Sequence, residues 1–324
     1  MSKLLMGLLG ALVSTNQPAA VSNLVEQTTG ISVAAVKTKD PVERDYLALM
    51  AMDDKAREEI DKWIRDADAF ADKGAGSPQA TLNLKIEQRL DEVKKAYEDF
   101  IDRHPKHARA RLAYGSFLND NRDDFGAKVQ WEKSRELDPS NPAAWNNLAN
   151  YYGHRSPVKK AFEYYTKAIE LEPNEPVYYQ NFATTVYLFR KDAMEVYNLS
   201  EAEVFDKALG LYRQAMKLAP NDFILASDYA QSFYGPRPPR WEEALKAWEQ
   251  VLPLAENSIA RDGILIHLAR CKINTGKFDE ARKDLSAITN QTYMELKGRL
   301  TRKLEDLEKG KPNTDDDGPE EEKK

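Results

Sequence analysis

The sequence predicts an all-α fold built from repeated helical hairpins, and three observations carry that expectation. From residue 84 onward apolar residues recur at helical spacing, and the two-residue alternation of a half-buried strand is missing. One set of offsets then returns six times along the chain, which marks a repeat architecture. Four of the copies end on a proline, which lacks a backbone donor and so closes one helix or opens the next.

The offsets are clearest from Ala161, where Tyr165, Ala168 and Pro173 stand four, seven and twelve residues on. Ala127 leads in the same way to Trp131, Ser134 and Pro139, and Ala208 to Tyr212, Ala215 and Pro220. Weaker copies run from Ala244 to Trp248 and Val251, and from Ala281 to Leu285 and Ile288. Val93, Tyr97, Phe100 and Pro105 also fit. The starting points are 34, 34, 47, 36 and 37 residues apart. Spacings of four and seven share a helix face, so each copy pairs a small residue that lets a neighbour approach with an aromatic that fills the space beside it. A second helix precedes each full copy, again with a small residue at its centre. The sets are Tyr114, Gly115 and Leu118; Leu148, Ala149 and Tyr152; Phe182, Ala183 and Val186; Tyr229, Ala230 and Phe233; and Leu268, Ala269 and Lys272. Each unit is therefore a hairpin of helix A and helix B.

This pattern resembles the tetratricopeptide repeat. Residues 142–175 match it most closely, with Trp145, Leu148, Ala149, Tyr152, Ala161, Tyr165, Ala168 and Pro173 at signature positions. The resemblance covers residues 106–290 as about five repeats. It implies a right-handed superhelix of antiparallel helix pairs, an α-solenoid, whose concave groove is lined by the A helices. The task it implies is binding other proteins, and it implies no catalysis.

The remaining segments are read around that array. Residues 1–22 hold one lysine, an apolar run from Leu4 to Val13, and small residues at Ala20 and Ser22. That run is too short to span a bilayer but suits a secretory signal peptide cleaved after Ser22. The expected location is periplasmic or secreted, in a bacterium; the alternative is a retained N-terminal helix and a cytoplasmic protein. Residues 23–40 read as an irregular leader. Residues 41–105 read as an N-terminal helical cap with a degenerate half repeat, broken at 72–78, with Leu47, Met50, Ile60, Trp63 and Ile64 expected to be buried. The third repeat carries 13 extra residues near 189–201, expected to lengthen helix A and form a protruding loop before Ser200 and Glu203 restart helix B as a capping box. Residues 291–310 read as an amphipathic capping helix with Leu296, Leu300, Leu304 and Leu307 on one side. The acidic, apolar-free tail 311–324 reads as disordered.

Composition narrows the function classes. A net charge of −6 argues against nucleic acid as a partner. The single cysteine, Cys271, allows no disulfide framework and reads as a small core residue. His104 and His107 flank Pro105 without the further ligands a zinc site needs, and no phosphate loop or nucleophile elbow is found. No cofactor, metal or catalytic residue is expected, nor a membrane span in the mature chain.

Asparagine is a mediocre helix former, yet Asn146, Asn147 and Asn150 crowd one helix A. By the family's geometry these positions face the groove. The third repeat offers Gln180, Asn181 and Thr184 there, and the fourth Ser227, Asp228 and Gln231. Amides and hydroxyls suit the backbone of an extended peptide. The plainer alternative is a hydrated groove, with Asn147 bonded to the next repeat. Some family members bind chaperone C-termini with two asparagines and three basic residues. Asn150 and Asn181 match the asparagines, but the basic positions fall on Asn146, Ile224 and Asp228. A neutral or mildly basic protein or peptide segment is therefore expected. Tyr151, Tyr187 and Tyr234 are candidates for stacking on it or for packing between repeats. The alternative is an accessory subunit of an enzyme or envelope assembly complex, with contacts through the insertion and the caps.

Overall fold

The computed structural model describes residues 40–71 and 79–310. The expected signal peptide, the leader up to residue 39 and the tail 311–324 lie outside the described residues. Among the described residues the secondary structure is helical throughout, and no helix is long and apolar enough to cross a membrane.

The chain divides into two compact units, residues 1–151 and 152–324. In the first, α1 (Pro41–Ala71) and α2 (Gln79–Arg103) form an antiparallel hairpin, followed by the pair α3 (Ala108–Asp120) and α4 (Asp124–Leu137). Helix α5 (Pro142–His154) carries the boundary between the units. The second unit holds α6 (Val158–Leu171), α7 (Pro176–Leu188), α8 (Arg190–Tyr197), α9 (Glu201–Leu218), α10 (Phe223–Ser232), α11 (Trp241–Val251), α12 (Ser258–Asn274), α13 (Phe278–Ala287) and α14 (Met294–Glu308).

The repeat register is visible in burial. Ala127, Ala161, Ala208, Ala244 and Ala281 on the B helices are fully buried, as are Ala149, Ala183, Ala230 and Ala269 on the A helices. The first repeat has glycine at the A position for a steric reason. A Cβ on Gly115 would lie 2.4 Å from the indole of Trp131, whose Nε1 donates to the Leu112 carbonyl at 3.3 Å. His107 caps α3 by accepting from the Ala110 amide at 3.0 Å, and Asp123 caps α4 by accepting from the Gly126 amide at 2.8 Å.

The N-terminal hairpin corrects the expected seam. Ile64 is 41% exposed, and Leu47, Met50, Ile60 and Trp63 are only partly buried. The buried face of α1 is Tyr46, Leu49, Asp53 and Ala56. A ranking by hydrophobicity misses it because one member is an aspartate. The Asp53 carboxylate accepts from Arg57 Nε at 3.0 Å and from the buried Tyr97 hydroxyl at 2.6 Å, so both oxygens are satisfied away from bulk water. Arg57 also donates to Asp120 at 2.7 Å, which ties α1 to the end of α3.

The insertion in the third repeat also differs from expectation. Helix A pauses for one residue at Phe189, and the extra residues then form α8 in place of a protruding loop. Ala193 is fully buried, and the Tyr197 ring packs 5.5 Å from Phe162 on α6. Asn198, at φ 51°, stops α8 in the left-handed region that asparagine tolerates. The expected capping box is present: the Ser200 amide donates to Glu203 Oε2 at 2.8 Å, and the Glu203 amide to Ser200 Oγ at 3.4 Å. At the C-terminal end α14 packs on α12 and α13, burying Leu300 and Leu304, with Leu296 and Leu307 partly buried beside them. Cys271 is buried in the same cluster, and burial pushes its thiol up to about 11, as suits an inert core residue.

Candidate protein-interaction face

The polar positions singled out on the A helices fall into both units. In the first, Asn146 and Asn147 are each 6% exposed, and Asn146 Nδ2 lies 3.4 Å from Asn147 Oδ1. They offer a ligand little surface. Asn150 and Tyr151 are half-buried.

In the second unit Gln180, Asn181 and Thr184 on α7 and Ser227 and Gln231 on α10 are all half-buried, held in place yet not sealed. Two of the hydroxyls are partly spent on their own helix. Thr184 Oγ1 donates to the Gln180 carbonyl at 3.0 Å and lies 2.8 Å from the Tyr212 hydroxyl, while Ser227 Oγ donates to the Phe223 carbonyl at 2.7 Å. Gln180 reaches from α7 to α10, its Nε2 donating to Asp228 Oδ2 at 2.9 Å. Burial pushes the Asp228 carboxyl up to about 6, partly offset by that hydrogen bond. The Gln231 amide has no hydrogen-bond partner among the described residues and is open to a ligand.

The aromatic candidates divide. Tyr187 sits 5.6 Å from Phe205, and a side chain on Gly235 would collide with its ring at 2.6 Å. Tyr234 is 6% exposed and packs 5.2 Å from Trp241. Both are packing residues.

The fifth repeat contributes two residues that the sequence reading did not single out, though the offsets from Ala269 point to them. His267 and Arg270 occupy the positions taken by Asp228 and Gln231 one repeat earlier. His267 stacks on Trp248 at 4.1 Å and 4°, and its Nδ1 is 3.2 Å from the Tyr234 hydroxyl. Burial, with the Arg270 charge beside it, pushes His267 down to about 3, so it is neutral. Arg270 lies 6.0 Å from the Tyr234 ring centroid.

The first unit also holds a cleft of about 370 Å³ between α2 and the turn after α3. Ile86, Leu90, Phe117 and Leu118 supply its apolar surface, and Glu87, Asp91, Asp123 and Lys94 its charged rim. His104 and His107 are not part of it. His107 is a helix cap whose ring burial holds below the usual histidine range.

Residues 142–175 match the family model of the tetratricopeptide repeat. The chain is 32% identical over 164 residues to the photosystem I assembly protein Ycf3 of Rippkaea orientalis, an alignment that takes in 50% of this chain and 88% of that protein. It is 30% identical over 134 residues to the human protein O-mannosyl-transferase TMTC3, across 40% of this chain but only 14% of that protein. Among solved structures, the C-terminal part of a repeat-containing protein from Cytophaga hutchinsonii superposes with a TM-score of 0.52 at 14% identity, over 79% of this chain and 98% of that one. At that identity the likeness speaks for the fold.

Proposed function

We propose that this chain, which belongs to the tetratricopeptide repeat family, is a non-catalytic scaffold that holds an extended segment of a protein partner along the α7–α10 face. The observation that carries this reading is a contrast within the same helices. The side toward the B helices is closed by Ala183, Tyr212, Ala215 and Leu225. Elsewhere the same helices carry the amides of Gln180, Asn181 and Gln231 and the carboxylate of Asp228 at half burial, within reach of a ligand. The Ycf3 relatives, named for the assembly of photosystem I, favour a partner that belongs to a multi-subunit complex.

Affinity capture with the full chain, quantified by mass spectrometry, tests the reading against an Asn181→Ala, Gln231→Ala double variant. Recovery of a partner by the parent chain and its loss by the variant, at equal helicity, is the expected result. Equal recovery by both would remove this face as the site.

A second reading has one observation of its own. The cleft beside α2 lies in the N-terminal cap region and pairs an apolar floor with a charged rim, so a cap-mediated contact is the alternative. Ile86→Glu would abolish capture in that case and leave it intact in the first. The apolar run Leu4–Val13 supports an exported scaffold, for which N-terminal sequencing of the natural protein should begin at Asn23.

A further inference from the structure

The geometry points to Asp228 as the residue that selects a basic side chain, lysine or arginine, in the segment bound on the α7–α10 face. This inference rests on the reading of that face as a peptide site and adds the chemistry of its occupant.

An ionised carboxylate accepts about four hydrogen bonds. Among the described residues Asp228 receives one side-chain donor, the neutral amide of Gln180, on Oδ2. Its other oxygen accepts none, yet it is not sealed in, since Asp228 is only half-buried. The nearby hydroxyls are committed elsewhere: Thr184 to the Gln180 carbonyl and to Tyr212, Ser227 to Phe223, and Ser232 to the Asp228 backbone carbonyl at 2.8 Å. No lysine, arginine or histidine among the described residues forms an ion pair with Asp228, and the charge that acts on it is another carboxylate, Asp222. A partly desolvated charge with one neutral partner is an incomplete pair, and burying it further under a peptide is costly unless that peptide supplies the missing donor and charge.

Charge complementarity therefore fixes the occupant. An acidic side chain or a C-terminal carboxylate over Asp228 would place like charges together in a low-dielectric site. A neutral side chain would cover the carboxylate without replacing its water. A lysine or arginine does both, while Gln231, three residues along α10 and free of partners, is available to the adjoining peptide backbone.

The test is selection from a random linear peptide library displayed on phage, with the full chain as target, followed by fluorescence polarisation on the enriched peptides. The expected result is a lysine or arginine recurring at one position. Replacing it by glutamine in the peptide should weaken binding at least tenfold, and Asp228→Asn in the protein should do the same with unchanged helicity. Combining both changes should cost little more than either alone. The peptide-side change tests the contact even if D228N were to fold poorly. If peptides bind, and Gln231→Trp blocks them, but no basic residue recurs, or its replacement leaves affinity unaltered, the inference is overturned and the face remains a peptide site. If no peptide is enriched, or those enriched bind the Gln231→Trp variant equally, the peptide-site reading falls and the inference with it.

Discussion

Two aspartates withdrawn from bulk water, one in each unit, have opposite surroundings. Asp53, on the seam of the N-terminal hairpin, is 6% exposed, and each of its oxygens accepts a hydrogen bond, from Arg57 and from Tyr97. Asp228, on the α10 face, has a single amide from Gln180 and no cation paired with it among the described residues. Both are acids in a partly apolar setting, yet one closes a packing seam and the other is left half-answered. Burial of a charge by itself does not separate structure from function. The completeness of its partners does, because a satisfied network rigidifies a fold while an unsatisfied one gains from whatever completes it.

Substitutions that break or sharpen this contrast can be ordered by size. Asp53→Ala removes the acceptor of Tyr97 and the near partner of Arg57, leaving the buried Tyr97 hydroxyl unanswered while Arg57, which is exposed, keeps Asp120. It should destabilise the first unit by about 3 kcal/mol, read as a lowered urea midpoint. Tyr97→Phe removes one hydrogen bond to a charged group and should cost about 2 kcal/mol in the same measurement. Burial pushes the Tyr97 hydroxyl well above the usual phenol range, so it remains a donor at all ordinary pH and this loss should not vary between pH 5 and 8.

Asp228 should behave in the opposite sense. Its carboxyl is pushed up to about 6 from an ordinary 3.8, so the folded chain binds the proton more tightly than the unfolded one. The stability linked to that proton is fully present below about pH 4 and is lost as pH rises through 6. Asp228→Asn should therefore be neutral or stabilising at pH 7, by about 1 kcal/mol after allowance for solvent at this half-buried site, and should flatten stability between pH 4 and 7. Thermal unfolding across that range measures it; a destabilisation of 2 kcal/mol or more at pH 7 would show that Asp228 has a structural partner after all. Gln180→Ala is the smallest change. It removes one exchangeable hydrogen bond, worth about 0.5–1 kcal/mol, and should raise the Asp228 titration midpoint further, visible in the carboxyl NMR shift.

The repeat register was legible because it depends on local arithmetic. Ala183 on helix A followed by Ala208 and Tyr212 on helix B of the same repeat specifies where two helices touch without knowledge of the rest of the chain, and the Ser200–Glu203 cap is a contact across three residues. The same offsets placed Gln180, Thr184, Ser227 and Gln231 on α7 and α10, where all four are half-buried, and applied to Ala269 they also reach His267 and Arg270. The α1 seam was not legible, because Asp53 becomes a core residue only when Tyr97 arrives from 44 residues away. The fate of the insertion was hidden for a similar reason, since α8 is held by Tyr197 finding Phe162 on α6.

By itself the sequence determined that this chain is a series of helical hairpins, where each hairpin begins, and which small residues lie at its crossings. These follow from a 3.6-residue period and from the size of side chains, which are properties of short stretches. Only the tertiary structure decided which of the polar residues are available. It packed Asn146 and Asn147 to 6% exposure, spent Thr184 and Ser227 on their own helix, and left Gln231 and one oxygen of Asp228 open. Depth and partner count arise from residues brought together across long separations, and a polar side chain's role depends on those two quantities more than on its identity.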